Sequence, residues 1–141
     1  MGSDAWAETG PYQQDLAAAF RQAQEQELAK GTHDDTERTI DELWEDPEWQ
    51  EYIFTGGTCS VLDFFEFSTR EGDQNSGGRM RVLTEAEVRV WAPGGRPTYA
   101  EWQDALHSGD LWDLDRAEGN CTVLYRDGQP SEMGYWGRTA D

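Results

Sequence analysis

Asp63 and His107 are the two side chains whose types and settings suit acid–base chemistry. Asp63 lies in TCSVLDFFEFS, residues 58–68. Its β-branched and aromatic residues, entered from Gly56-Gly57, predict a strand. Period-two alternation then sets Asp63 on one face with Val61 and Phe65. A carboxylate among apolar groups titrates above its ordinary range and can serve as a general acid or base. An arginine partner, or a bulge turning it outward, would make it structural instead. His107 could form a nucleophile–base pair with Cys59 or Cys121. Each cysteine sits in a Val-Leu run, however, where thiols serve as small buried hydrophobes. His107 itself closes a helix at the end where a cation is favoured. Lys30, the sole lysine, stands beside a helix cap as a surface ammonium.

Other chemistries find little support. There is no G-x-S-x-G elbow, no phosphate loop and no dinucleotide fingerprint. The Gly-Gly pairs at 56–57, 77–78 and 94–95 lack the following lysine. No C-x-x-C or H-x-x-x-H spacing offers a zinc site. Asp73-x-Asn75-x-Gly77-Gly78 resembles the front of a calcium loop, but Thr84 stands where the bidentate Glu should be. A glycine-rich hairpin connection explains the segment better. Asp110, Asp113, Asp115 and Glu118 are spread by Leu111, Trp112 and Leu114, which read as core anchors. No metal and no cofactor are expected, and an enzyme is the less favoured class.

The charge pattern is more informative. DELWEDPEWQEY, residues 41–52, holds six acids, three aromatics and no base. From His33 to Glu51 nine carboxylates face only Arg38, a net of −8 within a chain whose net charge is −18. Glu37, Asp41, Glu45 and Glu48 recur at three- or four-residue steps, with Glu51 following. Like charges at that spacing cost a helix about 0.2–0.5 kcal/mol per pair. A row that opposes local stability points to selection for something besides folding. Trp44, Trp49 and Tyr52 fall on the apolar stripes of the same helices and read as core.

The elements that carry these residues follow from local signals. PYQQDLAAAFRQAQEQELAKG predicts a first helix opening at Pro11, with Tyr12, Leu16, Phe20 and Ala23 on one face and Gly31 as its cap. Two short helices meet at Asp46-Pro47, an N-cap followed by a first-turn proline. RMRVL predicts a second strand. Thr84 with Glu87, and Thr98 with Glu101, are capping boxes opening two further helices, the second ended by Gly109. NCTVLYRDGQPSEMGYWGR predicts a hairpin turning at Asp127-Gly128. GGTCSVLDF resembles EGNCTVLYR, with TIDELW and TYAEWQ upstream, which would make two ααββ halves. The expected fold is α+β: an antiparallel sheet of about four strands packed with four or five helices. Residues 1–10 are expected to be a flexible N-terminus and 11–141 a single domain.

Composition bounds the partner. At 141 residues, 36% hydrophobic and 12% aromatic, the chain is apolar enough to fold. Its charge repels nucleic acid and anionic lipid, so direct DNA or RNA binding and membrane association are not expected. One lysine against ten arginines is a skew that GC-rich coding or a salt-adapted proteome produces, which discounts part of the acidity. MGSDAWAETG has neither basic n-region nor apolar stretch, so a cytoplasmic location is expected. The leading expectation is a non-enzymatic module that binds a basic protein through residues 34–51, by the logic of inhibitors, immunity proteins and nucleic-acid mimics. The alternative is a small enzyme or ligand-binding domain with a site near Asp63 and His107. The oligomeric state is not legible.

Overall fold

The computed structural model describes residues 4–30, 38–70 and 73–140. The fold is α+β. Five strands form one mixed sheet in the order β1-β5-β4-β3-β2: β1 (Ala5–Pro11), β2 (Glu66–Ser68), β3 (Arg79–Val82), β4 (Gly119–Arg126) and β5 (Gln129–Arg138). Five helices accompany them: α1 (Leu16–Ala29), α2 (Ile40–Trp44), α3 (Pro47–Thr55), α4 (Glu85–Trp91) and α5 (Tyr99–Ser108). No helix among the described residues is long and apolar enough to cross a membrane.

The sheet differs from the expected antiparallel one. β1, β5 and β4 pair antiparallel, whereas β4, β3 and β2 run parallel. The chain between Ser68 and Arg79 therefore carries it back to the same end of the sheet and makes no hairpin. α4 and α5 form the crossover from β3 to β4, as parallel neighbours require. Ala5–Pro11, expected to be part of a loose N-terminus, is the edge strand β1, held in register against Glu132–Arg138. The two expected halves differ at their cysteines: Cys121 is buried in β4, while Cys59 is exposed in a turn with φ 56°. The element order α2-α3-β2-β3 then α4-α5-β4-β5 follows the expected ααββ sequence twice, but β2 and β3 pair parallel where β4 and β5 pair antiparallel.

Local signals that needed only near neighbours hold. Thr84/Glu87 and Thr98/Glu101 close reciprocal capping boxes, as does Thr39 with Glu42 at α2. Asp46 caps α3 ahead of Pro47. Asp127 and Gly128 both take positive φ, 53° and 77°, the twist a two-residue hairpin demands. α1 begins later than Pro11, which ends β1. Asp15 is its cap, accepting from the backbone N–H of Ala17 and Ala18.

α1 covers one face of the sheet. Ala19, Phe20 and Ala23 pack on Val61, Phe64, Met80, Cys121, Met133 and Tyr135, with Trp6 from the edge strand. The other face is closed near α5 by Trp102, Ala105, Leu111, Leu114, Leu124 and Trp136. A third cluster, Leu28, Ile40, Leu43, Trp49, Ile53 and Leu62, seats α2 and α3 beside the end of α1. Buried Gln24 ties the layers together: its Nε2 donates to the carbonyls of Val61 (3.1 Å) and Phe64 (2.8 Å).

Candidate functional site

The chain 58–68 is not one strand. Val61–Asp63 is a 3-10 turn capped by Ser60, and only Glu66–Ser68 pairs in the sheet. That places Asp63 inside a turn. Its Oδ1 accepts from the backbone N–H of Thr58 at 2.7 Å and from Thr58 Oγ1 at 2.6 Å. Burial pushes its carboxyl up, while hydrogen bonds from Thr58, Cys59 and Ser60 pull partly back. Gly57, at φ 87°, lets the chain pass beside it: a Cβ there would stand 2.9 Å from Asp63 Oδ2. Asp63 is thus a clamp on the turn. His107 is exposed in the last turn of α5, and neither residue lines the groove or the cleft described below.

Of the acidic row, Glu37 and His33 lie outside the described residues. Asp41, Glu45, Glu48 and Glu51 are all exposed. Asp41 pairs with Arg21 of α1 at 3.0 Å. Asp46 pairs with Arg38 at 2.7 Å, and that guanidinium, with the backbone N–H of Glu48, holds its carboxyl below the usual range. The structure separates the row in two. Asp41 and Glu45, joined by Asp15 of α1, line a solvent-open groove of about 660 Å³, whereas Glu48 and Glu51 stand on α3 outside it.

Aromatic side chains share that groove. Trp44, Phe65 and Phe67 line it together with Phe20 and Phe64. The rings of Trp44 and Phe65 meet edge to face at 5.3 Å, and Phe54 joins them at 6.2 and 6.1 Å. Phe65 is 54% exposed and Phe54 43%. Contiguous exposed apolar surface rimmed by polar residues is a mark of contact surfaces. Trp44 was expected in the core; it is half-buried and faces both ways. Phe65 was expected on the covered face of a strand. The doublet Phe64-Phe65 was the available signal, because consecutive residues of extended chain point to opposite sides.

A second cluster lies where α4 meets the sheet. Arg81 is 7% exposed, and its two Nη atoms each donate to Glu87 at 2.8 Å. Asn75 bridges to Asn120 at 2.7 Å beside it. A cleft of about 260 Å³ opens there among Arg81, Glu87, Trp91, Asn120 and Trp136. Arg81 Nε and Trp91 Nε1 are buried without a hydrogen-bond partner. Sequence reasoning passed over this pair because its members sit on different elements. Asp73 accepts from Ser68 Oγ. No three His, Cys, Asp or Glu side chains among the described residues form a metal-holding group.

Glu8 of β1 is a strongly perturbed carboxyl. Its Oε2 accepts from the backbone N–H of Val61 at 3.1 Å. Burial, then a hydrogen bond and repulsion from Glu27, push its pKa to about 7 from the ordinary 4.5. The folded state therefore holds this proton more tightly than the unfolded chain. The resulting stabilisation is complete below pH 4.5 and is lost as pH rises through about 7. Wild type should thus gain melting temperature on acidification from about pH 8 to 6, and Glu8→Gln should flatten that gain. An unchanged slope in the variant would assign the effect to overall charge.

No protein-family model matches the sequence, no curated protein matches it, and no solved structure matches the fold.

Proposed function

We propose that the protein is a non-enzymatic binding module that engages a basic protein segment through the groove between α1, α2 and β2. The observation that carries this reading is the coincidence of exposed rings with three carboxylates against one arginine. Asp15, Asp41 and Glu45 face one guanidinium, Arg21, so the groove has a net charge of −2. The rings provide apolar area for affinity; the carboxylates steer a cationic partner and reject anionic ones. Glu48 and Glu51 extend the same field along the adjoining surface and raise the association rate.

The rival reading, a ligand-binding or catalytic domain, finds Asp63 Oδ1 engaged by Thr58 and its Oδ2 buried without a hydrogen-bond partner, away from the groove and the cleft. A second place for it is the Arg81 cleft, where the unpartnered Arg81 Nε and Trp91 Nε1 favour it.

Affinity capture from host lysate at low and moderate salt tests the binding reading. A parallel bait carries Glu37→Gln, Asp41→Gln, Glu45→Gln and Glu48→Gln. One basic protein should be retained by wild type at moderate salt and lost with the variant. Diffuse, salt-labile capture that is equal for both baits would reduce the acidic row to a solvated face.

A further inference from the structure

We infer that the guest of this groove is an arginine side chain, presented by an extended segment of the basic partner. The inference rests on the binding reading above and specifies its chemistry. Trp44 and Phe65 make a corner, their rings 5.3 Å apart at 60°, with Phe54 beside both. Asp41 and Glu45 stand one helical turn apart along α2 on the same groove. A flat cation that can lie on a ring while its edge meets a carboxylate satisfies both walls at once. Guanidinium has that shape and is weakly hydrated; ammonium is a compact, strongly hydrated point charge that gains less from a ring.

The protein already shows both halves of the recognition. Arg21 sets a guanidinium nitrogen 3.0 Å from Asp41 Oδ1 at the groove wall. Arg138 places its guanidinium 5.6 Å from the ring centre of Trp112. Glu45 has no ion-pair partner among the described residues, so it is the carboxylate left for a guest. Arg21 is 45% exposed at its side chain and competes for the same charge. Removing it should strengthen binding, a sign that a purely structural ion pair would not give.

The test is calorimetric titration of the full chain with two defined probes. One is the blocked pentapeptide Gly-Arg-Gly-Arg-Gly amide, the other its lysine counterpart. The arginine probe should bind about 3- to 5-fold tighter, the scale of an exposed cation–ring contact. Phe65→Leu, at a position 54% exposed, should bring that ratio close to one, with an unchanged melting temperature showing that the fold is kept. Glu45→Gln should weaken both probes, and Arg21→Gln should tighten both. Equal binding of the two probes, with Phe65→Leu silent, overturns the arginine guest yet leaves an electrostatic binding module standing. Binding of neither probe overturns both readings.

Discussion

Phe64→Ala should cost about 3–5 kcal/mol of folding stability, the range for emptying a fully buried aromatic site. Phe64 is wholly buried, and the sheet is shaped to receive it. Gly119 and Gly137 are register partners on β4 and β5, and together they leave the hollow its ring fills. A Cβ on Gly119 would stand 2.7 Å from Phe64 Cζ, and one on Gly137 would stand 3.0 Å from it. Trp6 closes the hollow from the edge strand, its ring 5.9 Å away. Gly119→Ala alone should cost about 1–3 kcal/mol through overpacking. The double variant should lose less than the sum of the two, because the new methyl enters the space the ring vacated. Urea unfolding of the four proteins checks this, and strict additivity would show that the ring and the glycine do not share one space.

Glu87→Ala should cost about 1–3 kcal/mol, because it unpairs the buried Arg81 guanidinium, while the Glu87 side chain, 41% exposed, leaves water a path to it. Arg81 keeps only a long 3.4 Å contact from Nη2 to Asn75 Oδ1. The same change removes the carboxylate that accepts from the backbone N–H of Thr84 at 2.8 Å and so opens the capping box of α4. Glu87→Gln retains an acceptor for that cap and should fall between alanine and wild type. Arg81 holds the Glu87 carboxyl down to about 2 from its ordinary 4.5. Its contribution is therefore present above pH 4.5 and lost as pH falls through about 2. A Glu87→Ala protein as stable as wild type would contradict this account of the cluster.

These two sites were the least legible in the sequence, for a physical reason. What could be read ahead depended on residues three or four apart. Thr98 and Glu101 meet within one turn of helix, and Asp127 and Gly128 set their own hairpin. Partners distant along the chain left no such mark. β1 is stabilised by β5, which lies more than 120 positions away, and AWAETGP carries little strand propensity of its own. Parallel pairing of β2 with β3 is a tertiary decision that the apolar pattern of TCSVLDFFEFS does not record. That same pattern concealed the 3-10 turn, where Asp63 draws on Thr58 five residues back. The groove was legible by half. The carboxylates of α2 were visible as a row at helical spacing, but Phe65 and Trp44 were assigned to the interior. Only the path of the chain past Asp63 shows that Phe64 turns in and Phe65 turns out.

The proposed function rests on where a basic segment lands. Amide and indole NMR signals of labelled protein, followed during addition of the arginine pentapeptide, locate it directly. Shifts concentrated at Trp44, Phe65, Asp41, Glu45 and the first turns of α1, and abolished by Glu45→Gln with Asp41→Gln, are the result this account predicts. Shifts spread evenly over all acidic surfaces, or gathered at Arg81 and Trp91, would contradict it.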